Sequence, residues 1–339
     1  MNTRNQGCAP VADDLPVPAH VKAQWRRLAR SLMAAFLILG VLFLSLFLYA
    51  RTWPPLVVIA GNSMQHGNAS SSFGTMDVGD VVLVQTVTSP ADLVTYVQGR
   101  ATGYSTYGDY GDVVVILDLD NPEGSRVVHR ALMLVTWNVT ACATCYDVPE
   151  LRLLADSEWE GWNATGNATG VPTNEPFGLT RFVLRDAGWT HDQLIDFSMW
   201  RIQVRISGAG LLTMGDNNVF IYSATKFDLW IVPLSEVVGK ARGEIPWFGL
   251  IGLTLSPNDE GCCEAWGSTN SPRGAPENSW RSLEVSLLVF LAVGIAGTFL
   301  PGYLRRGPGS RARRKRGRLA NQRGAEEPRP AATEDRRRA

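Results

Sequence analysis

Two stretches of twenty residues carry no charge at all, Ser31 to Ala50 and Val285 to Leu304. Twenty helical residues rise roughly 30 Å, the thickness of a bilayer's hydrocarbon core. Arg26, Arg27 and Arg30 stand before the first stretch, and Arg305, Arg306 and the run Arg311–Arg318 follow the second. Basic flanks stay on the cytoplasmic side. The expected topology therefore has two transmembrane helices, both tails inside, and the segment between them outside.

A cleaved signal peptide is the competing reading of the first stretch. The run is long for a signal sequence and no A-x-A-like site follows it, so a retained anchor is preferred. Gly294, Gly297 and Pro301 in the second stretch fit a plain anchor, because glycine and a late proline are tolerated in membrane helices.

Charge is segregated in the same way. The chain has 32 basic and 32 acidic residues and a formal net charge of zero. Residues 1–30 carry net +3 and residues 305–339 carry net +9, which leaves net −12 for the middle. An acidic middle argues against a nucleic-acid-binding core. The Arg-rich tail reads as a disordered cytoplasmic segment facing anionic lipid or another polyanion.

The outside segment holds four N-x-S/T triplets, at Asn68, Asn138, Asn163 and Asn167, as a glycosylating compartment would allow. It also holds Cys142, Cys145, Cys262 and Cys263, while Cys8 lies on the cytoplasmic side. Disulfides are preferred over a four-ligand zinc site there, with the pairing open.

Runs rich in Val, Ile and Leu predict strands at Leu56–Ala60, Val81–Val87, Val113–Leu117, Val127–Val135, Arg201–Ile206 and Leu229–Val232. No long amphipathic helix pattern intervenes. The expected fold is mostly β, a β-barrel or sheet domain flanked by two transmembrane helices. The boundaries are 1–30 cytoplasmic, 31–50 first span, 51–256 β domain, 257–284 linker, 285–304 second span and 305–339 basic tail. An insertion of loops and short elements is expected at about 141–196, among its sequons, glycines and tryptophans.

A serine becomes a nucleophile when a base lies in hydrogen-bond reach and a third group orients that base. The outside segment has three histidines, His66, His129 and His191, and two lysines, Lys226 and Lys240. His66 sits in a loop and reads as a surface side chain. His191 lies in the insertion with no strand-like frame. His129 ends a strand-like run, which offers a rigid platform.

Four blocks occur in order: Gly61-Asn62-Ser63-Met64; Asp77-Val78-Gly79-Asp80 and the strand after it; Gly111-Asp112 with Val113 onward to His129-Arg130; and Gly215-Asp216-Asn217-Asn218. A closing pattern runs from Val238 to Gly249. Together these resemble signal peptidase I, in its archaeal and endoplasmic-reticulum branch. The resemblance implies a membrane-bound serine endopeptidase that removes signal peptides from preproteins after small residues. It implies Ser63 as nucleophile and His129 as general base, with no cofactor and no metal. Partners would be preprotein signal peptides, the lipid bilayer and other secretion-complex subunits, with no nucleic acid. The two spans and the sequons favour an archaeal plasma membrane, with the reticulum membrane as the alternative. Val57, Val58, Ile59, Met64 and Val84 would line shallow pockets for small side chains.

The acid that orients His129 stays open. Family members carry a second aspartate six residues after that of the G-D-N-N block, where this chain has Tyr222. Asp216 is the first choice and Asp228 the alternative. Asp216 also suits a purely turn-closing role. Tyr222 keeps a second reading alive, a catalytically inactive homologue that binds preproteins or a partner. A serine–lysine enzyme is disfavoured, since no lysine lies between Lys22 and Lys226.

Overall fold

The computed structural model describes residues 19–67, 70–117, 126–164, 170–203, 208–221, 227–256, 262–269 and 274–305. Cys8, Asn68, Asn167, Tyr222, Lys226 and the basic tail beyond Arg305 lie outside the described residues. The chain divides into a unit ending at Glu277 and a second beginning at Asn278.

The first unit opens with helix α1, Ala19–Ala50. Its apolar side chains, Phe36, Leu37 and Ile38 among them, are exposed instead of packed in protein. An apolar helix with no protein core around it suits an apolar solvent such as a bilayer. Helix α1 from Ala23 to Ala50 and the stretch Glu277–Gly297 are both long and apolar enough to cross a bilayer. They point to a membrane association.

Beyond α1 the described chain is mostly β. The strands are β1 Leu56–Val58, β2 Val81–Gln85, β3 Ser105–Thr106, β4 Asp109–Tyr110, β5 Val113–Leu117, β6 Arg126–Trp137 and β7 Tyr146–Asp147. They continue as β8 Trp159–Asn163, β9 Val171–Thr173, β10 Leu179–Ala187, β11 Gln193–Ser198, β12 Ala209–Met214 and β13 Val237–Ile245. The helices between the two apolar ones are short: α2 Tyr96–Thr102, α3 Asn218–Ile221 and α4 Gly249–Leu255. Helix α5, Glu277–Arg305, is all that is described of the second unit.

Eleven strands form one antiparallel sheet in the order β1-β2-β13-β5-β6-β7-β10-β8-β9, with β11 beside β10 and β12 beside β6. The sheet is an open path, so the barrel alternative does not hold. Strand β5 is apolar at every position, and four of its five residues are buried. That is how a central strand covered on both faces reads. In β2, by contrast, Val82 and Val84 are buried while Leu83 and Gln85 are half-buried, the alternation of a strand with one dominant core face. Helix α2 begins at a reciprocal cap between Thr95 and Gln98 and turns Tyr96 and Val97 into the main core. That core also contains Leu132, Phe182, Phe197 and Met214, so it joins β6, β10, β11 and β12.

The region 141–196 is more regular than expected. Strands β7, β8, β9, β10 and β11 continue the main sheet instead of forming a loop insertion. On its exposed side, Arg181 pairs with Asp196 and Arg185 with Glu160. The expected strands at Arg201–Ile206 and Leu229–Val232 do not form among the described residues. Met199–Arg201 is a 3-10 turn, and Val232 makes only an isolated bridge to Leu211. Pro233 follows and lacks the N–H that a longer ladder would need.

Among the described cysteines the structure pairs Cys142 with Cys145 and Cys262 with Cys263. Within the expected linker, the Cys262 amide donates to the Ala60 carbonyl at 3.0 Å, so that part of the chain is tied to the end of β1. Among the described residues no cluster of potential metal ligands occurs.

Candidate active site

Ser63 lies in the loop after β1, and three features fix that loop. Met64 is 1% exposed and packs with Ile59, Met76, Val82 and Val113. Burying such a side chain contributes about 1.5–3 kcal/mol, so the residue next to Ser63 is a hydrophobic anchor. The Asn217 amide donates to the Ser63 carbonyl at 2.8 Å, and Asn217 Nδ2 donates to the Asn62 carbonyl at 3.0 Å. Gly215 makes the approach possible. A Cβ there would stand 2.6 Å from the Ser63 carbonyl oxygen and 2.9 Å from its Cβ. The G-D-N-N block is therefore the clamp on the serine loop.

Gly215 follows Met214, which pairs with Arg130 across β12 and β6. The serine loop thus abuts the end of β12, beside the part of β6 that carries His129. His129 itself pairs with Val114 on β5 and is 7% exposed. Its Nδ1 lies 2.7 Å from Asp228 Oδ2. The same oxygen accepts the Thr213 hydroxyl at 2.5 Å, and the Asp228 amide donates to the Thr213 carbonyl at 2.9 Å. Thr213 on β12 therefore holds Asp228 in place. With the carboxylate as acceptor, Nδ1 is the ring nitrogen that carries the shared hydrogen, and Nε2 is the one turned away from Asp228.

Asp216, the first choice for orienting His129, is bound elsewhere. Arg130 Nε and Nη2 reach Asp216 Oδ1 and Oδ2 at 2.8 and 2.6 Å. Both side chains are buried. Burial pushes the Asp216 carboxyl up, but the Arg130 charge and hydrogen bonds, helped by His66, outweigh it and hold Asp216 below the usual carboxylate range. Arg130 Nη1 also donates to the carbonyls of Thr106 and Tyr110, each at 3.0 Å. The reason for the split is elementary. His129 and Arg130 are consecutive on a strand, so their side chains leave opposite faces, and each needs its own acid.

His66 is not a free surface residue. Its Nε2 lies 2.8 Å from Asp216 Oδ2, and its ring stacks on Trp189 at 4.8 Å. His191 lies in the turn between β10 and β11, with Nε2 3.0 Å from Asp109 Oδ1. Each of the three histidines thus has an aspartate partner, and His129 is the histidine of the three that lies on a strand of the main sheet.

The two other Gly-Asp pairs are structural ties. Asp80 accepts the amides of Asp77 and Trp247 at 2.8 and 3.0 Å, and burial raises its carboxyl to about 7. Asp112 accepts the Val94 amide at 2.9 Å, the Tyr104 hydroxyl at 2.8 Å and Lys240 Nζ at 3.2 Å. These aspartates join β2, β5 and β13 around the site. Of the expected pocket residues, Ile59, Met64 and Val84 are buried and Val58 is exposed. Val84 is 0% exposed, so it lines no open pocket.

Thr213 and Asn217 escaped the sequence reading as separate functional positions. Asn217 was visible within the G-D-N-N block, but its bond to the serine loop was not. Ser63 Oγ has no hydrogen-bond partner among the described residues, and His129 Nε2 is not bonded to it.

No protein-family model matches this chain, and no curated protein matches it either.

Proposed function

We propose that this protein is a membrane-anchored serine endopeptidase that removes signal peptides from preproteins. The observation that carries the reading is the His129–Asp228 pair, set on the sheet beside the glycine against which the Ser63 loop is clamped. In this reading Ser63 Oγ attacks the scissile carbonyl. His129 Nε2 takes the serine proton and returns it to the leaving amine, and Asp228 orients the ring and steadies its positive charge. The Ser63 backbone N–H is the natural oxyanion donor. The serine hydroxyl closes on Nε2 when substrate is bound, since such bonds are often open in a free enzyme. Both apolar helices span the bilayer, with the β domain outside, in an archaeal plasma membrane or the reticulum membrane. Preprotein signal peptides and other secretion-complex subunits are the partners.

A second reading rests on that open hydroxyl. The chain would then be an inactive homologue that binds preproteins without cutting them. Cleavage of a preprotein with an A-x-A site, by membranes carrying wild type, Ser63→Ala, His129→Ala, His66→Ala, Asp216→Ala and Asp228→Ala, separates the two. The peptidase reading expects wild-type cleavage that Ser63→Ala and His129→Ala both abolish. A folded wild type that cuts no preprotein leaves the binding reading in its place.

A further inference from the structure

The end of α1 opens on a cleft of about 280 Å³ that no part of the peptidase site uses. Its walls include Arg51, Gln85, Thr86, Thr88, Lys240 and Arg242. Arg51 immediately follows Ala50, the last residue of the apolar helix. The Thr86 amide donates to the Ala50 carbonyl at 2.8 Å and the Thr86 hydroxyl to the Arg51 carbonyl at 2.9 Å. The helix end is thereby sewn to the chain just past β2, so the depth of the cleft relative to the apolar helix is fixed.

The charges in this cleft are unequally committed. Lys240 Nζ is engaged by Asp112 and by the Asp92 carbonyl. Asp92 is the acidic residue of the wall, and its Oδ2 accepts the Thr88 hydroxyl and the amides of Thr88 and Ser89. Arg242 donates from Nε to Gln85 at 3.0 Å and from Nη1 to the Tyr104 hydroxyl at 3.1 Å, and its Nη1 also lies 3.7 Å from Asp112 Oδ1, so only Nη2 is without a described partner. The Arg51 guanidinium is exposed and has no hydrogen-bond or ion-pair partner among the described residues. Two guanidinium groups beside one cleft suit a phosphate oxygen pair. The neighbouring helix surface is apolar, with Phe47 and Leu48 exposed one turn before Arg51. A ligand matching both features carries a phosphate and an acyl or alkyl chain.

We propose that the cleft formed by Arg51, Thr86 and Arg242 binds the phosphate of an anionic phospholipid, whose tails lie along the end of α1. The site rests on α1 lying in a bilayer and is independent of the peptidase reading. It would hold the β domain at a set height and tilt on the membrane surface.

The test uses the full-length chain in detergent micelles, with native mass spectrometry reading retained lipid. The probes are phosphatidylglycerol and zwitterionic phosphatidylcholine of equal chain length, with inorganic phosphate as competitor. Wild type is expected to retain phosphatidylglycerol over phosphatidylcholine, and Arg51→Gln/Arg242→Gln to bind it at least about tenfold more weakly. If the double variant fails to fold, Arg51→Gln alone serves, since it removes no described contact. Equal retention of the two lipids, or unchanged binding by a folded variant, overturns the proposal. Displacement of the lipid by millimolar inorganic phosphate overturns it too, because the cleft would then be a site for the free anion. Preprotein cleavage is not read in this experiment, so its failure leaves the peptidase reading untouched.

Discussion

His129 and Asp228 stand 99 positions apart in the chain and are joined by a 2.7 Å hydrogen bond. The bond depends on β12, where Thr213 grips Asp228 by backbone and side chain at once. Asp216, only two residues past β12, is turned the other way, onto Arg130. The two aspartates therefore answer to different experiments.

On the proposed peptidase reading, Asp228→Asn is expected to keep the fold and lose cleavage. An asparagine amide donates where the carboxylate accepts, so the imidazole settles in the wrong tautomer. By analogy with other serine–histidine–aspartate sites, the rate should fall about 10⁴-fold. Single-turnover cleavage of a preprotein, beside an unchanged thermal unfolding curve, checks it.

Asp216→Asn is expected to act on stability first. It leaves the buried Arg130 charge without its acid, and breaking such a pair costs about 3–5 kcal/mol. The unfolding midpoint should drop markedly, with cleavage lost in proportion to the unfolded fraction. A well-folded Asp216→Asn enzyme with a slow chemical step would instead make Asp216 part of the catalytic machinery.

Much of this was legible in the residues, and the limits have physical causes. Strand β5 was readable because a fully buried strand is apolar throughout. Strands β10 and β11 were not, because one face is salt-bridged by Arg181, Arg185 and Asp196 and the run looks like a charged loop. Strand β13 was seen as a motif but not as a strand, since Lys240 and Arg242 interrupt its apolar pattern. Ser63 and His129 stood out by their blocks. The choice between Asp216 and Asp228 did not follow from spacing, because it depends on which faces of β6 the His129 and Arg130 side chains leave. The alternation rule, applied to His129-Arg130, would have called for two separate acids.

Gly215→Ala tests the clamp on the serine loop. The added methyl has no room, standing 2.6 Å from the Ser63 carbonyl oxygen and 2.9 Å from its Cβ. The loop must shift, and if Ser63 is the nucleophile proposed above, misplacing it by about 1 Å costs about 10²-fold in rate. Since Met64 still anchors the loop, the unfolding midpoint should change far less than kcat. Cleavage kinetics and thermal unfolding measured on the same preparation check this, and unchanged kcat would release Gly215 from the role.

The pH dependence of stability carries opposite contributions from two aspartates. Asp80 has a folded value of about 7 against an ordinary 3.8, because burial favours its neutral form. The folded state then binds more protons than the unfolded one between about pH 4 and 7, so this contribution is lost as pH rises through that window. Asp216 is held below 3.8, so its stabilising contribution is present above that value and is lost as pH falls further. Denaturant unfolding of wild type, Asp80→Asn and Asp216→Asn from pH 3 to pH 8 resolves the two. Asp80→Asn should flatten the decline between about pH 4 and 7, and Asp216→Asn should weaken the fall at the acid end. A wild-type profile that rises steadily from pH 4 to 7, unchanged in Asp80→Asn, would mean that Asp80 is ionised in the folded protein across that range. Its two amide bonds, from Asp77 and Trp247, would then outweigh its burial.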